Sequence, residues 1–216
     1  MKNYTKIVLI VLMAFNACKK ESNITTSETT TAKTESSETT TSETVSSEPT
    51  LNEYNKGEKW TWLEKSVAEG KIRWEGKDIL EVVEFKGSLG FWNGNDTVMV
   101  SSTLNQEKSS TPFRKWPLKV GEKWKYESDW KNAEGTPMKT SQDVEVVSYG
   151  AEAVLAGRFM AYEIVHKGTI TNSIGGSSVV NETYWYAPAL KMNIKHIQDD
   201  GYGSYVYELY DYKSGQ

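Results

Sequence analysis

The sequence predicts an all-β domain of about ten antiparallel strands, built as a sandwich, a barrel or a curved half-barrel. Three observations carry that expectation. All eight tryptophans and eleven of the twelve tyrosines lie beyond position 50, and aromatic side chains favour pleated, half-buried surfaces. Side chains alternate with a period of two through several runs, and no run of the domain has a convincing helical period. Short clusters of Asn, Asp and Gly separate the runs.

Taken in order, the chain has three zones. Residues 1–17 read as an export signal: Lys2 and Lys6 are followed by the apolar run 7–15 (IVLIVLMAF). That run is too short to cross a membrane, which takes roughly 20 apolar residues. It ends at Asn16-Ala17-Cys18, the only cysteine of the chain, so no internal disulfide can form. A small residue before such a cysteine resembles the lipobox of bacterial lipoproteins. The resemblance implies cleavage before Cys18 and acylation of that residue, with palmitate among the acyl chains. Lys19, standing where enterobacterial inner-membrane lipoproteins carry Asp, implies the outer membrane. Residues 18–50 are mostly Ser, Thr and Glu after the lysine pair. Such a segment cannot bury enough apolar surface to offset chain entropy, so it is expected to be a disordered tether.

Residues 51–216 form the domain. They hold 20 basic and 23 acidic side chains, so no large basic face is implied and a nucleic-acid partner is not expected. Trp124, Tyr126, Ser128 and Trp130 share one face of a strand; Met160, Tyr162, Ile164 and His166 share another. Tyr184 and Tyr186 oppose Thr183 and Trp185. Val206, Glu208, Tyr210 and Tyr212 alternate with Tyr205, Tyr207, Leu209 and Asp211. Turns are expected at residues 93–96, 132–135, 175–176 and 199–201. One block recurs: Gly57-Glu58-Lys59-Trp60-Thr61-Trp62 returns 64 residues later as Gly121-Glu122-Lys123-Trp124-Lys125-Tyr126. At the same offset, residues 80–85 (LEVVEF) return as 144–149 (VEVVSY). Two matched blocks point to two tandem copies of a three-stranded meander, which needs a second layer or a partner copy to bury its faces.

Four segments, 117–126 (PLKVGEKWKY), 144–147 (VEVV), 156–164 (AGRFMAYEI) and 185–188 (WYAP), resemble the pattern of the TapB-like family of exported bacterial proteins. The resemblance spans about 117–212 and implies a β-rich, envelope-associated protein; it implies no activity. That family's glycine after the Trp-Tyr-x-Pro turn is absent here, where Leu190 and Lys191 stand.

The chemistry-bearing residues are sparse. His166 and His196 are the only histidines. Each is expected on a strand beside apolar residues (Ile164 and Ile170; Met192 and Ile194) without metal-ligand spacing. No nucleophile elbow, phosphate loop or dinucleotide fingerprint occurs, and Asp96, Asp199 and Asp200 sit in turns, where Asp bonds locally. No catalytic residue, metal site or cofactor is therefore expected, and the protein is not expected to be an enzyme. Two readings of function remain. The first is a membrane-anchored, non-catalytic envelope module that binds a glycan, lipid or other small ligand through its aromatics. The second is a structural or assembly lipoprotein acting through contacts with envelope proteins.

Overall fold

Strand-forming residues assemble here as one sheet rather than two. The structure, a computed structural model, describes residues 48–104, 109–199 and 203–216. The expected signal, Cys18 and nearly all of the expected tether lie outside the described residues, as do Asp200 and Gly201. Ten strands follow in order: β1 (Lys59–Ala68), β2 (Lys71–Phe85), β3 (Ser88–Trp92), β4 (Thr97–Met99), β5 (Lys123–Lys131), β6 (Pro137–Val154), β7 (Gly157–Asn172), β8 (Ser177–Ala187), β9 (Met192–Asp199) and β10 (Ser204–Lys213). One five-residue helix, α1 (Val100–Leu104), and short 3-10 turns at Leu51–Glu53 and Pro188–Leu190 complete the described elements. The α1 turn is the one departure from the helix-free expectation.

All strand pairs are antiparallel, and the sheet order is β4-β3-β2-β1-β10-β9-β8-β7-β6-β5. The order is consecutive except where β10 meets β1. The two ends, β4 and β5, do not pair, so the sheet is open and neither a closed barrel nor a sandwich. It is nevertheless strongly curved. In a flat sheet β7 and β10 would lie about 14 Å apart, three strand spacings. Yet Ala156 N, in the β6–β7 turn, donates to Leu209 O on β10 at 2.9 Å. A fork makes room for this contact. β9 and β10 pair only between Lys195–Asp199 and Ser204–Glu208. Above that point β10 continues with β1, β9 continues with β8, and the β6–β7 hairpin tip reaches into the gap.

The repeat is visible in the hydrogen bonds. Gly57 N donates to Val82 O at 2.7 Å and Val82 N to Glu58 O at 2.8 Å; Gly121 N donates to Val146 O at 2.8 Å and Val146 N to Glu122 O at 3.1 Å. Every partner is displaced by the same 64 positions. Gly57 and Gly121 have φ of 82° and 86°, a region where a Cβ is costly. The cross-strand ion pairs Lys59–Glu81 and Lys123–Glu145 repeat as well, at 3.3 and 3.1 Å.

Two cores lie on opposite faces of β7 and β8. Phe159, Ala161, Trp185 and Ala187 point into the first, with Trp60, Val82, Phe91, Ile194 and Leu209. Tyr162, Ile164, Tyr184 and Tyr186 point into the second, with Leu118, Trp124, Val144 and Val146. The second core is closed by residues 109–122, ahead of β5. Phe113 packs edge-on against Tyr126 and Tyr184 and lies over His166, and the Arg114 guanidinium stands 4.1 Å from the Tyr186 ring. Trp124 Nε1 donates to Pro112 O at 2.8 Å. This crossing segment, residues 109–122, covers one half of the sheet face that we call inner.

Bulges change which residues face inward. On β10 the register slips opposite Thr61 and Trp62, so Tyr212 pairs with Trp60 and joins the face of Leu209 and Tyr207. The simple alternation read from sequence placed Tyr212 with Val206. A second slip, opposite Trp185 and Tyr186, turns Ile194 away from His196 and into the first core. His196 therefore does not share its face with Ile194.

The position where the TapB-like pattern has glycine keeps a glycine-like backbone. Lys191 adopts φ 56°, the left-handed backbone that glycine prefers. Its Nζ donates to both oxygens of Glu58, at 2.8 and 3.0 Å, and to Glu53 O at 2.8 Å. Tyr212 Oη adds a bond to Glu58 at 2.8 Å. The ion pair offsets the backbone strain and neutralises a carboxylate only 1% exposed.

Candidate functional site

Antiparallel register places polar and aromatic side chains in rows across the inner face, since directly paired residues point to the same side. One row runs Trp74, Ser66, Tyr205, Gln198, Glu182, His166, Val144, Trp124 from β2 to β5. The next runs Gly76, Glu64, Tyr207, His196, Tyr184, Ile164, Val146. The two rows hold Glu64, His166 and Gln198, three of the six buried polar side chains among the described residues.

At the covered end, Glu182 is the hub. Gln142 Nε2 donates to it at 2.6 Å and Tyr184 Oη at 2.7 Å. His196 Nε2 lies 3.3 Å from its Oε1, within ion-pair range though without the alignment of a hydrogen bond. The Tyr184 and His196 rings stack at 4.1 Å. Burial alone would raise the Glu182 carboxyl, but His196 and the hydrogen bonds from Gln142 and Tyr184 outweigh it and hold it at about 2. Burial pushes the His166 imidazole down to about 3, against the pull of Glu182, so it is neutral at ordinary pH. Thus the two histidines expected to be separate share one face and one carboxylate neighbourhood. Among the described residues no group of three or more His, Cys, Asp or Glu is placed to hold a metal ion.

At the uncovered end, on β1, β2 and β10, the arrangement differs. Tyr207 Oη donates to Asp78 Oδ2 at 3.2 Å and also bonds Glu64. Burial, with Asp78 nearby, raises the Glu64 carboxyl despite the Tyr207 bond. Trp74 is 51% exposed, and Tyr205 and Ser66 beside it are partly exposed. The indole leans over Gly76: its Cζ2 and Cη2 stand 2.5 and 2.6 Å from where a Cβ would be. Only glycine at 76 lets the ring lie toward Glu64. The sequence reading placed Tyr205 and Tyr207 on one strand face without assigning them to a site, and did not single out Ser66, Trp74, Gly76, Glu64 or Asp78. The available signal was an acidic residue, Glu64, at the alternation position shared with Trp60 and Trp62.

The turn aspartate Asp96 behaves as expected, accepting from Thr97 N at 2.7 Å. A shallow cleft of about 500 Å³ lies elsewhere, beside Leu51, Tyr54, Glu84 and Leu89. No described helix is long and apolar enough to cross a membrane.

No protein-family model and no curated protein matches the chain, so the likeness to TapB-like proteins rests on the motif residues quoted above. Two crystal structures are similar in part. One is a Bacteroides fragilis protein described as exported and as having a YmcC-like fold: 13% identity, TM-score 0.43, covering 74% of this chain and 97% of that one. The other is described as a lipoprotein of Parabacteroides distasonis: 10% identity, TM-score 0.47, covering 73% and 95%. With identity this low and superposition this loose, neither carries an argument about function.

Proposed function

We propose that the chain is a non-catalytic binding module of the bacterial cell envelope, held at the outer membrane by acyl chains on Cys18. The anchor rests on the basic, apolar and Ala17-Cys18 series, and on the acyl chemistry it implies: each buried methylene contributes about 0.8 kcal/mol. The TapB-like motif residues favour the same location. One observation carries the binding role, namely the uneven cover of the inner face. Residues 109–122 shield it over β5 to β8, whereas on β2 Trp74 stays half exposed beside Tyr205. A half-exposed indole next to hydroxyl and carboxylate groups offers an apolar wall and polar anchors together.

The alternative, assembly through protein contacts, has less support. Among the described residues β2 lacks a second neighbour over Lys71–Leu80. That edge carries a bulge and the charges of Lys71, Arg73, Glu75 and Lys77, the devices by which edges avoid pairing.

Two measurements test the proposal. Cys18→Ser should move the protein from the membrane to the soluble fraction without changing its Tm; retention in the membrane contradicts the anchor. In a ligand screen read by tryptophan indole resonances, Trp74 should respond first. A screen in which other tryptophans respond and Trp74 does not contradicts the placement of the site.

A further inference from the structure

Glu58 and Glu64 are buried and the Glu182 side chain is 11% exposed, and the three differ in their partners. Glu58 has the Lys191 ammonium at 2.8 Å. Glu182 has His196 at 3.3 Å and two donors. Glu64, 4% exposed, has Tyr207 and the like-charged Asp78. Among the described residues no Lys, Arg or His forms an ion pair with Glu64 or Asp78. A carboxylate removed from water without a cation is costly, and burial together with Asp78 raises the Glu64 carboxyl accordingly. The cationic side chains next to this pair on β1 and β2, Lys65 and Lys77, point the other way. Lys65 pairs with Glu75, and Lys77 lies 3.5 Å from the Tyr210 ring centroid.

Aromatic rings flank this uncompensated pair. Trp74 leans across Gly76, which pairs with Glu64, and Tyr205 stands in the Trp74 row. Aromatic faces attract cations, and they cover the methylenes that an organic cation carries. Sugars also stack on indoles. A neutral pyranose, however, leaves the charge of Asp78 unanswered, whereas an ammonium answers it.

We propose that the shelf formed by Trp74, Gly76, Tyr205, Glu64, Asp78 and Tyr207 binds a small organic cation, its charge toward the two carboxylates and its methylenes against the rings. This rests on the binding-module reading above and names its ligand class.

The test uses the full chain with 15N-labelled tryptophan, Trp74→Phe identifying the resonance. Putrescine is titrated against 1,4-butanediol, its neutral counterpart of similar shape. Putrescine should move the Trp74 indole signal, more weakly as salt rises. Asp78→Asn should weaken binding about tenfold, the equivalent of one charge interaction of about 1.4 kcal/mol, and Gly76→Ala should abolish the shift by displacing the ring. Folding of both variants is checked by the unchanged indole signal of the buried Trp60. Butanediol acting as strongly as putrescine would overturn the cation assignment and leave the binding face standing. A Trp74 signal unmoved by putrescine also overturns the assignment. If uncharged saccharides then leave Trp74 unmoved as well, the binding face falls with it.

Discussion

The two copies of the Gly-Glu-Lys-Trp hairpin share their backbone bonds but not their surroundings. In the first copy, β1 lies between β2 and β10, Trp60 is fully buried and Glu58 is sealed against Lys191 and Tyr212. In the second, β5 is the sheet edge, Trp124 is only partly covered, and Glu122 meets Lys115 near solvent. One sequence motif therefore specifies a backbone conformation twice, while position in the sheet decides what its side chains contribute. The same contrast extends over the inner face. The half carrying β5 is covered by residues 109–122; the half carrying β1 and β2 leaves Trp74 open.

The strongest way to break this comparison is to truncate the two tryptophans. Trp60→Ala should cost about 3–5 kcal/mol, as for a fully buried aromatic, and Trp124→Ala about 2 kcal/mol, by denaturant unfolding. Equal losses would contradict the inequality of the copies. Lys191→Ala should cost about 3 kcal/mol, because it strands the buried Glu58 charge. Lys115→Ala, at the equivalent exposed pair, should leave the midpoint unmoved.

Acid sharpens the comparison from the covered side. His166 binds its proton near 6.5 when unfolded but only at about 3 when folded. Between those values the unfolded chain holds the extra proton. Stability from this group is therefore full above 6.5 and falls with pH at about 1.4 kcal/mol per unit toward 3. Glu182, lowered to about 2, adds its loss only below about 4.5. Between pH 6.5 and 4.5, His166→Gln should flatten the decline in stability, even though it lowers stability at neutral pH; parallel curves would contradict a neutral buried imidazole. One effect should be equal in the two copies. Gly57→Ala and Gly121→Ala each meet open space but a positive φ, so each should cost about 1–2 kcal/mol of backbone strain. A clear difference between them would show that the two turns are not the same structure.

Much of the architecture was legible from residue pattern. The alternation of Trp124, Tyr126, Ser128 and Trp130 reappears on β5, and the turns expected at 93–96, 132–135 and 175–176 fall between strands. Such features depend on neighbours within a few positions. Bulges do not announce themselves in that way. The slip at Leu209 that turns Tyr212 inward depends on β1 packing beside β10, about 150 residues away in sequence. Only the end of the crossing segment, residues 117–122, lay in a motif, and the cover made by Pro112, Phe113 and Arg114 required knowing that β4 and β5 end up at opposite edges. The shelf was harder still. Glu64, Asp78 and Tyr207 meet through register across three strands, and local sequence holds only the oddity of an acid among inward-facing tryptophans.

The account depends most on the division of the inner face into a covered and an open half. Hydroxyl-radical footprinting of the full-length chain measures it residue by residue. Trp74 and Tyr205 should oxidise rapidly, with Trp60, Tyr162, Tyr184 and Tyr186 protected. Trp74 protected as well as Trp60, or Tyr184 oxidised as fast as Trp74, would contradict it.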